Sequence, residues 1–156
     1  MKPGVYTQLY VQLVFAVKNR DAVLHKAIRQ RVFEYMSGIL KDLKHKSIII
    51  NGVSDHVHIL YGENPTKCIS DTVHDIKRSS SIFINDEKMC HGRFSWQDGY
   101  GAFTYSRSQL DDIYRYIQNQ EEHHKKKTFR EEYIQFLQKF EIEYDEQFLF
   151  DFFDDV

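Results

Sequence analysis

Two short runs rich in β-branched residues, KSIIINGV (46–53) and HVHILYG (56–62), are separated only by Ser54 and Asp55. So short a connection joins the two as an antiparallel hairpin. What flanks the hairpin then narrows the fold. Upstream, Ile28, Val32, Met36, Ile39 and Leu43 recur at steps of three and four, which predicts an amphipathic helix over residues 26–43. Before that helix, residues 5–17 alternate. Thr7, Leu9, Val11, Leu13, Phe15 and Val17 fall on one face, and Tyr6, Gln8, Tyr10 and Gln12 on the other. This is a half-buried strand whose second face lines a site or meets water.

Downstream of the hairpin, Pro65-Thr66 opens a second helix with Thr66 as its N-cap, and Ile69, Val73, Ile76, Ser80 and Phe83 form its inward stripe. Residues 89–99 read as loop, and Tyr100 to Tyr105 as a fourth strand. The order β-α-β-β-α-β predicts an α+β fold: a ferredoxin-like, split β-α-β antiparallel sheet with helices on one face. Two more helices follow. One starts at Ser108, with Asp111 three residues on, and runs to about Glu122 with Leu110, Ile113, Tyr114 and Ile117 inward. The other starts at Thr128 with Glu131 and buries Tyr133, Phe136, Leu137 and Phe140.

At 156 residues, with no internal repeat and no linker, the chain is expected to be one domain, 1–156. No apolar run approaches the roughly 20 residues of a membrane helix. The first residues lack the apolar core of a signal peptide. Cys68 and Cys90 make neither a disulfide framework nor a CxxC metal site, so a reducing cytoplasm is the expected compartment. Net charge is -2, but seven of the acids lie in the aromatic tail 141–156, which has no Lys or Arg. Residues 1–140 carry 21 basic against 16 acidic side chains, a net of +5, compatible with a nucleic-acid partner.

Three constellations carry chemistry. His56 and His58 stand two apart on a strand, so both imidazoles project from one face, close enough to share a metal ion, while Val57 and Ile59 point into the core. Tyr116 and Gln120 stand four apart on a helix and lie beside its apolar stripe, whereas Tyr114 falls within the stripe and reads as core. A basic set comprises Lys77 and Arg78 on the second helix, and Lys125 and Lys126 in the run HHKKK (123–127) between the last two helices; the runs at both places can grip phosphates. Tyr100, among Phe94, Trp96 and Phe103, offers a platform for unpaired bases.

A His-hydrophobic-His strand in a ferredoxin-like order, followed by a helix with Tyr-x-x-x-Gln, resembles the single-tyrosine HUH transposases of the insertion-sequence-200 type, including the REP-associated tyrosine transposases. The resemblance runs through YTQLYVQLVFAVKNR, NGVSDHVHIL, ISDTVHDIKRSSS, FSWQDGYGAFTYS and YIQNQEEHHKKKTFREEY. It implies an enzyme that cuts and rejoins single-stranded DNA, with hairpin ends as substrate and a 5′-phosphotyrosine intermediate. It implies Tyr116 as nucleophile, with His56, His58 and Gln120 as ligands of a divalent ion, Mg²⁺ or Mn²⁺. It also implies a homodimer in which one subunit's histidines meet the other's tyrosine. The alternatives are a domesticated HUH nuclease that nicks without transposing, and a non-catalytic single-stranded nucleic-acid-binding module.

Overall fold

The computed structural model describes residues 3–153. The six elements predicted up to residue 105 are present in the predicted order: β1 (Tyr10–Ala16), α1 (Lys26–Asp42), β2 (Lys46–Gly52), β3 (His56–Gly62), α2 (Ile69–Asp86) and β4 (Gly101–Tyr105). The four strands form one antiparallel sheet in the order β2-β3-β1-β4. After them come α3 (Leu110–Gln118), the short α4 (Gln120–His123) and α5 (Phe129–Lys139).

The register divides the central strands into two faces. Phe15 lies opposite Val57 and Leu13 opposite Ile59, while Val14 lies opposite His58 and Ala16 opposite His56. Helices α1 and α2 pack on the Phe15 face, where Trp96 meets the Phe15 ring at 4.8 Å and donates its indole N–H to Ser80 at 2.9 Å. The other face is covered as well. Helices α3 to α5 lie over it, and Phe136 of α5 stacks on Phe103 at 5.2 Å. The helices that follow β4 thus form a second layer, and of the two outcomes expected for that face, lining a site or meeting water, it lines the site. Gln12, expected on a face that could meet water, is fully buried.

Several local expectations are corrected too. The first strand begins at Tyr10, not Val5, because Tyr10 pairs with the last residue of β3 and the last of β4, so residues 5–8 have no partner strand. Val5, Tyr6 and Leu9 are exposed. Helix α2 is capped by Cys68, whose Sγ accepts from the amide of Asp71, because the Thr66 hydroxyl and amide both turn to Asn64 Oδ1. Ile84 is the buried residue at the end of its stripe; Phe83 instead stacks on Tyr35 at 4.1 Å. Ser106 with Gln109, not Ser108 with Asp111, makes the capping box before α3. Tyr114 is exposed rather than core, since Ile113 and Ile117 already fill the helix–sheet seam. The Thr128 cap on α5 is as expected, its hydroxyl accepting from the amide of Glu131 at 3.2 Å.

The hairpin that carries His56 and His58 turns so tightly that a Cβ at Gly52 would lie 2.3 Å from the carbonyl oxygen of His56. Gly52→Ala is expected to lower stability by about 1–3 kcal/mol through this overlap. Urea unfolding measures it, and an unchanged midpoint would contradict the turn.

The described part of the tail packs onto the body through its aromatics. Phe150 and Phe152 are buried, within 5.8 and 5.3 Å of the Phe129 ring. Asp151 is held by its backbone, which donates to and accepts from the Gln97 side-chain amide at 2.8 Å each. Asp154 and Asp155 lie outside the described residues.

Candidate active site

His56 and His58 project from β3 into the layer between the sheet and α3–α5, and both are fully buried. Each ring is anchored through its Nδ1, which leaves Nε2 facing inward. His56 Nδ1 sits 2.7 Å from Asp55 Oδ1, the residue before it. His58 Nδ1 lies 2.8 Å from the side-chain amide of Gln12, whose oxygen accepts from the Tyr105 hydroxyl at 2.6 Å. An amide can turn over to serve either tautomer of the ring it touches, so Gln12 can hold His58 with or without a proton on Nδ1. Such outer partners fix the orientation of metal-binding imidazoles.

The tyrosine helix is brought over the hairpin by Asn51 of β2. Its side-chain amide donates to the carbonyls of Ile117 at 2.9 Å and Gln118 at 3.1 Å. These are carbonyls that a helix end leaves unpaired. The helix breaks at Asn119, so the expected single helix to Glu122 is two, and Gln120 opens α4 fully buried. Gln120 Oε1 reaches His56 Nε2 at 3.2 Å. Tyr116 is half-buried, with its ring 6.1 Å from that of His58. Within one chain, then, the structure brings together His56, His58, Tyr116 and Gln120.

At their centre stands Glu132 of α5, which the sequence reading did not single out. Its Oε1 lies 3.1 Å from Nε2 of both His56 and His58. Its Oε2 accepts from the Tyr116 hydroxyl, and from the Gln120 amide at 3.0 Å. A signal was present in the sequence. Glu132 stands three residues after Phe129 and four before Phe136, a carboxylate on the apolar stripe of its helix. His124 is a further addition. Its Nε2, 3.3 Å from Glu132 Oε1, is buried with no hydrogen-bond partner.

These charges perturb one another. Burial lowers the affinity of His56 for a proton, but its bond to Asp55 and the charge of Glu132 outweigh that and push its pKa up to about 9. Burial prevails at His58, whose pKa falls despite Glu132. Burial opposes the charge on Glu132, yet the surrounding imidazoles hold its carboxyl far below the usual range. Burial and the adjacent Glu132 carboxylate both raise the Tyr116 phenol.

The donors suit a divalent cation. One ligand atom each from His56, His58 and Glu132 lies within 4.8 Å of the others, and Gln120 Oε1 stands 3.2 Å from His56 Nε2 beside them. Mixed imidazole nitrogen and carboxylate or amide oxygen fits an ion such as Mn²⁺ or Mg²⁺. A cleft of about 330 Å³, lined by Ile113, Tyr116, Lys127, Glu132, Phe136 and Lys139 among others, gives access to the pair Tyr116–Glu132.

The basic candidates are placed apart. The ammonium of Lys77 donates to the carbonyls of Gln97 at 2.8 Å and Gly99 at 2.6 Å, and burial brings its pKa down to about 8. Arg78 and Tyr100 are exposed, and Arg78 lines a groove with Lys77, Trp96 and Gly99. Lys125 and Lys126 are exposed beside α4, and Lys125 pairs with Glu122 at 2.9 Å. Among the described residues no helix is long and apolar enough to cross a membrane.

The chain is similar to two solved structures. One is a protein of Deinococcus radiodurans R1 given as a candidate transposase. Identity is 25%, the TM-score is 0.61, and the match covers 77% of this chain and 96% of that one. The other is a REP-associated tyrosine transposase bound to a REP hairpin, which is 12% identical with a TM-score of 0.59, covering 80% of this chain and 73% of that one. Comparison with curated proteins finds no match. The family described as transposase, IS200-like, matches residues 5–120, a segment that takes in the whole sheet, both histidines, Tyr116 and Gln120. By that match over most of its length, the chain belongs to the IS200-like transposases.

Proposed function

We propose that this protein cleaves and rejoins single-stranded DNA, with Tyr116 as nucleophile and His56, His58 and Gln120 as holders of a divalent cation. The observation that carries the reading is the convergence of the Tyr116 hydroxyl, both imidazole Nε2 atoms and the Gln120 side chain on one carboxylate. The Tyr116 oxygen attacks the scissile phosphorus, and a bond from that oxygen to phosphorus replaces the bond to the 3′-oxygen. The phenol gives up its proton, and the departing 3′-oxygen takes one. The product is a 5′-phosphotyrosine, which a different 3′-hydroxyl can attack in turn, so no nucleotide cofactor is needed. A bound divalent cation would draw charge from the phosphate oxygens.

The residues of this chain do the rest. Asp55 and Gln12 aim the two imidazoles. Glu132 Oε2 accepts from the Tyr116 hydroxyl and holds it at the cleft. Lys127 and Lys139 border the cleft at Tyr116, where the phosphate backbone of a strand would lie. The structural neighbour solved with a REP hairpin supports hairpin-ended DNA as the substrate class. Incubation with single-stranded oligonucleotides carrying hairpin ends, with Mn²⁺ or Mg²⁺, is expected to yield a protein–DNA adduct that survives denaturing electrophoresis. No adduct with any hairpin from the flanks of its own gene would overturn the reading.

The arrangement also speaks to how the site is assembled. The resemblance implies a homodimer with shared sites, but one chain already holds tyrosine and histidines around Glu132. We therefore place the working site within one chain, whether or not two chains associate. A mixture of Tyr116→Phe and His58→Ala proteins is expected to stay inactive, since every site in it carries one defect. Recovery of cleavage on mixing would restore the shared-site arrangement.

A further inference from the structure

We propose that Glu132 is a working member of this centre in two ways at once: one carboxylate oxygen is a ligand of the divalent cation, and the other holds the hydroxyl of Tyr116. The inference rests on the cation reading above and goes beyond it, because α5 lies outside the family-matching segment, which ends at residue 120.

The geometry separates the two oxygens by task. Oε1 sits at 3.1 Å from Nε2 of both His56 and His58, and 3.3 Å from Nε2 of His124. Three imidazole nitrogens from two parts of the chain thus meet at one oxygen. Oε2 points the other way, to the Tyr116 hydroxyl and the Gln120 amide. Glu132 is only 2% exposed. A carboxylate so deep in a protein is costly unless it is paired. The fold commits a turn of α5 to it, on a helix where Phe129, Tyr133, Phe136 and Leu137 are otherwise the buried residues.

The chemistry of the donors agrees. Two imidazoles and an amide are neutral ligands, and their preference leans to softer ions. An anionic oxygen adds charge and hardness, which favours Mn²⁺ or Mg²⁺. Because the same carboxylate grips the nucleophile, loading of the cation and placement of the phenol act on a single side chain. Tyr116 is then held against the cation site by α5, rather than by its own helix alone.

Two readouts test the two arms on the full chain. The first is Mn²⁺ affinity without DNA, followed by the electron paramagnetic resonance of the free ion. Glu132→Gln is expected to weaken binding at least tenfold, and Glu132→Asp by less. Circular dichroism confirms that each variant is folded. Affinity in Glu132→Gln within twofold of wild type, with binding lost in His58→Ala, would remove Glu132 from the ligands and leave the histidine reading standing. Affinity unchanged in His58→Ala would overturn that reading, and this proposal with it. The second readout is the single-turnover rate of adduct formation at saturating Mn²⁺. Glu132→Ala is expected to stay at least tenfold slow even when the cation is saturating. A wild-type rate there would overturn the hold on Tyr116.

Discussion

Tyr116→Phe is expected to abolish the covalent adduct, lowering its rate by at least about a thousandfold, while leaving DNA binding within about twofold of wild type. The substitution removes one oxygen. The ring, which packs 4.4 Å from His123 and 5.8 Å from Phe136, stays in place. The hydroxyl bonds the same carboxylate that both His56 and His58 contact. Tyr114→Phe serves as the control two residues away: Tyr114 is exposed, and its loss should leave the adduct rate unchanged. Gel detection of labelled oligonucleotide bound to protein measures both. An adduct of normal yield with Tyr116→Phe would show that another residue attacks the phosphate.

The second large effect concerns the histidines. His58→Ala is expected to lower cleavage by at least about a thousandfold, as the loss of a group that stabilises charge in a dry site does. His58 is fully buried between Gln12 and Glu132, so its removal also leaves a void and an unmatched carboxylate. A loss of activity could then reflect unfolding. Chelation supplies the independent arm: excess EDTA should stop cleavage by the wild-type protein, and added Mn²⁺ should restore it. Non-covalent hairpin binding should persist in both cases, since it rests on phosphate and stacking contacts rather than on the imidazoles. Full cleavage in EDTA would remove the cation from the mechanism.

The element order could be read along the chain because each element announces itself locally. Alternation in residues 10–16, the steps of three and four in α1, and the two-residue connection between β2 and β3 are properties of neighbours in sequence. The same period of two puts His56 and His58 on one face, and the spacing of four puts Tyr116 near Gln120. The pairing of these two sets rested on resemblance until the structure placed Asn51 on the carbonyls that end α3. Where the reading failed, several short-range options competed. Thr66 could cap α2, but Asn64 took its hydroxyl; Tyr114 could be core, but α3 turns Ile113 and Ile117 to the core and leaves Tyr114 exposed.

The sequence by itself determined the strands, the helices, and which side chains share a face, because backbone sterics and hydrophobic period act between residues a few positions apart. Only the tertiary structure decided what lies opposite those faces. Glu132 stands 74 residues after His58 in the chain, and no local pattern links them. They meet because α5 must bury Phe129, Tyr133 and Phe136 against the sheet and the tail, and that packing carries the carboxylate into the space between the imidazoles. The same burial covers the sheet face for which alternation alone allowed either a site or water. Once water is excluded there, each buried charge requires a partner, and the partners are the histidines, Gln120 and Tyr116.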